Sequence, residues 1–525
     1  MPQNLAPLAD AGLTWQEIHA LLDRHERSAM PRLGALWEYY RNPMRALGAR
    51  ESQRDPSSRN YRLAQERGLP ARLLGAGGIG DDRAWKRKEI VIENDIAWRI
   101  HTMIDFLLGR PLTIVSNARD PALARRIERT LDAVWEASGG AALLSDAALM
   151  AHVYGHVDLV VRAAANSNAP EHADDQAVAA AAAAATRIEA IEPCRAVPVV
   201  SRDDYRALDA YLILTRRIER DQARGPTSRP GGPDPAPPSL LRRWLGLADD
   251  AHPTHTPRTT LVLEVLGPSR RQVFERDEAD RRDQWRLVLD EPALVSPGAP
   301  ADAPPVAHIQ NIAQPLSWEG LGEVEPLIPL QDELNTRLSD RASRVTFQSF
   351  KMLLAKGLDG ADGVRIGPGQ LILTDNPEAT IESLGGDAAS PSEAAHVQEI
   401  REALDKISGV PPLAAGVVRA RIGNLSSANA LRVTLMGLLS RTARKRLTYG
   451  RGIVEASRLV LLALDRAGIL PTDPRDRALS IAWPDPLPPD EHDALLAAER
   501  KVALGVPRER VLAELGYAGR DAGVM

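Results

Sequence analysis

The sequence predicts a mainly α chain with smaller β modules, an α+β architecture. Ala, Leu and Arg are plentiful while aromatics make up only 4%, a balance that favours helices. Apolar residues in the C-terminal part keep steps of four or seven, the spacing of one helix face. Short β-prone runs bounded by turn residues fall between these segments.

With 525 residues the chain can bury several cores, and 44% hydrophobic with 26% charged residues suits a globular protein. The net charge is −5, from 65 basic and 70 acidic residues. A protein gripping nucleic acid over its whole surface would be clearly basic, so any DNA contact is expected to be local and weak. Cys194 is the only cysteine, which excludes an internal disulfide framework and a Cys-based zinc site within one chain; it reads as a small packing residue. Met1-Pro2-Gln3-Asn4 carries no basic and apolar leader, and no run approaches the roughly 20 apolar residues that span a bilayer. Synthesis in the cytoplasm is the expectation.

Residues 10–70 read as helices joined by polar turns. Pro111-Leu112-Thr113-Ile114 is a short β-prone run, and 121–165 reads as helical. The stretch 166–186, closing on the alanine run Ala177 to Ala185, fits either a helix or a disordered insertion. Ile188, Ile191, Val197, Val199 and Tyr211 to Leu214 predict strands, as do Thr260 to Val265 and Trp285 to Leu289. Gly225 to Ser239 is too rich in Pro and Gly for regular structure. From Leu327, the apolar positions Leu330, Leu334, Leu338, Val345 and Met352 predict a long helix opening on Pro326 and Pro329. Gly367-Pro368-Gly369, between Val364-Arg365-Ile366 and Gln370-Leu371-Ile372-Leu373, predicts a tight β connection. Ser390-Pro391 starts another helix that stops at Ser408-Gly409. A helix from about Ser427 to Asp465 would be roughly 60 Å long at 1.5 Å per residue.

Catalytic motifs are weak. Gly75-Ala76-Gly77-Gly78-Ile79-Gly80 is followed by Asp81 and Asp82, which would repel a phosphate. The chain contains no Gly-Lys pair, so no Walker A loop is possible. His152 and His156 stand four apart on an expected helix, a spacing at which two imidazoles share a metal. No Glu lies between them and Gly155 weakens the helix, so structural histidines are the better reading. No enzyme activity and no cofactor are expected. Between Arg419 and Arg458 lie nine basic residues (Arg419, Arg421, Arg432, Arg441, Arg444, Lys445, Arg446, Arg451, Arg458) against one acid, Glu455. They form either a solvated or subunit-facing helix surface or, if the loop Ala415 to Ser427 faces DNA, a source of phosphate contacts through Arg419 and Arg421.

Several segments in this order resemble the portal proteins of tailed phages. Lys88 through Thr113, with Phe106-Leu107-Leu108-Gly109-Arg110-Pro111-Leu112-Thr113, resembles the family's early wing helix and its closing turn. Ala147 to Val161 is similar to its helix-to-strand step. Gly322-Glu323-Val324-Glu325-Pro326-Leu327-Ile328 with Leu334-Asn335 and Leu338-Ser339-Asp340 resembles the opening of the first stem helix, with Glu323 where Asp is usual. Ile407-Ser408-Gly409-Val410-Pro411 resembles the end of the second stem helix. Asn424 to Leu431 resembles the exit from the tunnel loop, with Ala428 in place of Gly. Trp483-Pro484-Asp485-Pro486-Leu487-Pro488 resembles a returning wing strand.

The resemblance implies a wing over 1–320, with insertions near 166–186 and 221–258. It implies a first stem helix over 321–354, a clip over 355–390 and a second stem helix over 391–408. A tunnel loop over 409–427, a long wing helix over 428–465 and a return strand with crown-like helices over 466–525 complete the implied portal fold. Portal families form closed rings, usually dodecamers, at one capsid vertex. Arg419, Arg421, Asn424, Ser426 and Ser427 would then face double-stranded DNA without reading its sequence. Val364, Arg365, Ile366, Gln370 and Leu371 in the clip would dock the terminase large subunit during packaging and a head–tail adaptor afterwards, and the ring would meet major capsid and scaffold proteins in the virion. Two other classes compete: an ATP-driven DNA-packaging motor or nuclease, and a capsid scaffold protein without a channel.

Overall fold

The computed structural model describes residues 12–41, 91–163, 174–219, 258–278, 285–292, 303–349, 352–356, 377–378, 380–384, 391–415, 432–487, 491–508 and 511–512. Helix α1 (Trp15–Arg24) opens on a capping box between Thr14 and Glu17, and a π-helical turn leads into α2 (Met30–Arg41). Helix α3 (Asp95–Leu108) is capped by Asn94, and strand β1 (Thr113–Ser116) follows. Helix α4 (Pro121–Ala137) has Asp120 as its N-cap and Pro at its first position. Helix α5 (Gly140–Tyr154) ends at Gly155, where φ is +100° and a Cβ would lie 2.3 Å from the Gly320 carbonyl oxygen. Only glycine fits there. The chain turns at that point into strand β2 (His156–Ala163).

The expectation of helix throughout 121–165 is therefore corrected: two helices and a strand occupy it. The alanine-rich run forms α6 (Asp175–Ala185), capped by Asp174 and packed on α4 through Val178, Ala182 and Ala185, so 174–186 is not a flexible insertion. Strands β3 (Thr186–Ile191), β4 (Ala196–Val200), β5 (Leu208–Glu219), β6 (Arg258–Leu266), β7 (Arg270–Asp277), β8 (Arg286–Pro292) and β9 (Val306–Gln310) come next. β4 to β8 form one antiparallel sheet in sequence order, and β3-β2-β9 form a second. Ile18 and Trp15 of α1 pack on the larger sheet against Phe274.

A 3₁₀ turn, Glu325–Leu327, opens helix α7 (Ile328–Ser349). This helix is shorter than the span predicted from Leu327 to Leu354, because Met352 begins strand β10 (Met352–Lys356). Strand β10 pairs antiparallel with β11 (Thr380–Leu384), placing Lys356 opposite Thr380. Helix α8 (Pro391–Ser408) runs back along α7, with Arg344 paired to Glu393 and Glu333 near His396. A 3₁₀ turn, Pro412–Ala415, follows.

The long helix, α9 (Met436–Arg466), starts later than predicted. Residues 432–434 make a separate helical turn broken at Leu435, so the rod is about 46 Å long, not 60 Å. The returning strand β12 is Leu479–Ala482, paired with β1; it ends before Trp483, where the strand was expected. Helix α10 (Glu491–Ala503) follows. The principal core gathers α2 to α6, the three-stranded sheet, the base of the α7–α8 pair and α9. At Gly452 the helix α9 lies so close to β9 that a Cβ would meet Ile309 Cγ1 at 2.2 Å.

Candidate functional site: the polar joint at the base of the helix pair

The start of α7 and the end of α8 meet α9 through charged groups withdrawn from water. A step of four residues, about one helical turn, places Arg441 and Lys445 on one side of α9, and both reach Glu323, which precedes α7. Lys445 Nζ is 2.7 Å from Glu323 Oε1, and Arg441 Nη2 is 2.9 Å from Glu323 Oε2. Glu323 and Lys445 are fully buried. The Arg441 Nη1 group donates to the Ile407 and Ser408 carbonyls, two of the free acceptors at the end of α8. One guanidinium thus ties both roots of the helix pair to α9.

His152, at the end of α5, completes the joint. Burial first, and then the charge on Lys445, push its imidazole well below the ordinary range. It is neutral: Nδ1 donates to the Ala148 carbonyl at 2.7 Å, and Nε2 accepts from Lys445 Nζ at 2.8 Å. Burial pulls the Lys445 ammonium down to about 8, against the opposing pull of Glu323. Tyr449 donates to Asn311 Oδ1 at 3.2 Å, and the Glu323 N–H donates to the His152 carbonyl at 2.7 Å. His156 sits beyond Gly155 on β2, so the i, i+4 metal spacing does not form. Among the described residues no cluster suited to a metal ion occurs.

A second guanidinium, the fully buried Arg99, fixes the turn after α8. Arg99 Nη1 donates to Ser408 Oγ at 3.1 Å and to the Val410 carbonyl at 3.0 Å, while Nη2 pairs with Asp405 at 2.8 Å and more loosely with Asp95. Gly409 takes φ +68° between them. The chain entering 416–431 therefore leaves from a fixed root. The far side is held by an Arg432–Asp485 pair at 2.9 Å and by buried Leu435 and Leu438.

One side of α7 carries a buried polar ladder that apolar periodicity does not show. Ser339 exchanges hydrogen bonds with the Val91 backbone, Asn335 accepts from the Glu93 N–H, and Gln331 bonds both Glu93 and Asp95. These polar residues, at steps of four, zip the segment before α3 onto α7. The predicted apolar stripe holds at Leu334, which is fully buried, but Val345 is exposed.

Of the nine basic residues between Arg419 and Arg458, Arg432, Arg441, Lys445, Arg446 and Arg458 have partners within the chain; Arg446 donates to the Pro484 carbonyl. Arg444 and Arg451 are exposed. The expected DNA-facing residues Arg419, Arg421, Asn424, Ser426 and Ser427 lie outside the described residues, as do Val364, Arg365, Ile366, Gln370 and Leu371. The described chain frames both sets: Ala415 and Arg432 bracket the first, and the β10–β11 pair brackets the second. No sequence motif marked the joint itself. Glu323 stood out only as a departure from a usual Asp, and Arg441 and Lys445 only within a basic run.

Residues 301–516, which contain the helix pair, the β10–β11 sheet and α9, match the family of phage portal proteins, SPP1 Gp6-like. Over that segment the match supports kinship with the tailed-phage portal protein family. Two solved structures are similar to the chain. One is described as the virion of a native gene transfer agent particle, at 12% identity and TM-score 0.40, covering 80% of this chain and 89% of that one. The other is described as the neck of an empty gene transfer agent particle, at 13% identity and TM-score 0.41, covering 81% of this chain and 90% of that one. No curated protein matches the chain in sequence.

Proposed function

We propose that the chain is one subunit of a portal ring that conducts double-stranded DNA into and out of a capsid. The observation that carries this reading is the antiparallel α7–α8 pair, tipped by the β10–β11 sheet and locked at its base to α9, within the region that matches the portal family. In this reading α7 and α8 are the stem, 355–390 is the clip, and 409–427 is the tunnel loop. Residues 1–320 and α9 form the wing, and α10 belongs to a crown-like end.

A channel must hold DNA without stalling it. Arg419 and Arg421, repeated around a ring of twelve copies, would supply a positive collar that centres the duplex, and a slightly acidic chain elsewhere keeps the grip weak. Val364, Arg365, Ile366, Gln370 and Leu371 would dock the terminase large subunit and later the head–tail adaptor. Capsid and scaffold proteins would surround the wing. None of these steps asks for catalysis by this chain. Replacing both tunnel-loop arginines (Arg419→Ala with Arg421→Ala) is expected to lower packaged DNA or its retention while leaving rings intact. Unchanged packaging, retention and ejection would remove the tunnel-loop assignment.

A further inference from the structure

Leu316 is 84% exposed and is the one non-glycine residue with positive φ, +62°, among the described residues. A leucine seldom adopts that conformation without surrounding structure that enforces it. The enforcement is visible. Gln310 Nε2 donates to the Ser317 and Trp318 carbonyls at 2.9 and 3.0 Å, and His308 Nε2 lies 2.7 Å from the Trp318 carbonyl. The Trp318 ring stacks on His308 at 3.8 Å, and Ile312 and Leu321 bridge the base of the loop. The loop 312–321 therefore presents Leu316 as a preformed apolar knob, above a base that includes half-exposed Leu321. Its flank is acidic on balance, because Glu319 and Glu325 share a single cation, Arg32.

The face of α9 turned away from Glu323 carries a matching surface. Met436 and Leu447 lie about 160–180° around α9 from Lys445, which faces the root of the knob loop through Glu323. Both are exposed, at 58% and 75%, and Val433 in the preceding turn is 66% exposed. Arg444 and Arg451 flank them, and no ion pair joins either one among the described residues. Apolar residues set among arginines are a poor track for phosphates but fit a protein surface that is apolar at its centre and acidic at its rim.

We infer that the loop 312–321 of one copy docks on the exposed face of α9 of the next. Leu316 seats among Val433, Met436 and Leu447, while Glu319 and Glu325 approach Arg444 and Arg451. Two unlike surfaces of one subunit, paired between successive copies, give a head-to-tail contact of the kind that closes a cyclic ring. The inference rests on the ring reading above and names the contact that makes it.

The test uses the full-length chain carrying Cys194→Ala, with Leu316→Cys combined with either Met436→Cys or Leu447→Cys, treated with a short bismaleimide. A denaturing gel is expected to show a ladder of covalent multimers for the double-cysteine chains and none for the single-cysteine ones. Separately, Leu316→Asp is expected to reduce the ring fraction at least tenfold in sedimentation, with the thermal midpoint of the monomer unchanged. Rings that form undiminished in Leu316→Asp and give no ladder overturn this contact and spare the ring. A parent chain that assembles under no condition and gives no ladder overturns both.

Discussion

Asp332 on α7 is a carboxylate held away from water beside a phenol. Tyr39 donates to both of its oxygens at 3.1 and 3.0 Å. Burial nevertheless pushes the carboxyl up to about 6 from an ordinary 3.8, the hydroxyl opposing only in part. A raised folded-state value means that the folded chain binds this proton more tightly than the unfolded chain. The associated stability is full below about pH 4 and is lost as pH rises through about 6. Asp332→Asn keeps an acceptor for Tyr39 and removes the charge. It is expected to raise the unfolding midpoint at pH 7 and to flatten its dependence on pH between about 4 and 6, as followed by urea unfolding across that range.

At the scale of elements, the joint decides how the helix pair stands on α9. Glu323 is one carboxylate answering two cations, so removing its charge strands Lys445 in the interior. Glu323→Gln is expected to cost roughly 3–5 kcal/mol, the usual consequence of breaking a buried pair on one side. Glu323→Gln with Lys445→Met leaves no stranded ammonium and should recover most of that loss. Urea unfolding of the two variants checks the order; equal losses would mean that the pair is not coupled.

Much of this element-level architecture was legible in the sequence, and the misses have physical causes. Pro391 and the Ser408-Gly409 stop mark helix ends by backbone chemistry, which local sequence carries directly. The long helix was overextended because apolar spacing continues through Leu435 although the chain breaks there. The stretch 156–163 read as helix because a strand buried on both faces is a continuous apolar run, indistinguishable by periodicity from a buried helix segment. The joint was not legible at all. His152, Glu323 and Lys445 are far apart in sequence, and each alone resembles an ordinary surface residue. The same holds for Gln331, Asn335 and Ser339, whose regular spacing acquires meaning only once the extended segment from Val91 to Asp95 lies against them.

At the scale of the whole molecule, the account makes the chain one segment of a cylinder. Buried charge sits where the helix pair meets α9, and the groups proposed to touch DNA or docking proteins belong to 416–431 and 357–379, whose flanking residues this frame holds. A ring multiplies each weak contact, so a chain of net charge −5 can still centre a polyanion if its arginines converge on the axis. The measurement that bears most directly on this is electron microscopy of the full-length chain, purified alone and after co-expression with its capsid and scaffold proteins. The account predicts closed rings with an axial opening walled by α7 and α8. Particles in which that helix pair is enclosed within a solid globule, with no opening along any symmetry axis, would contradict it.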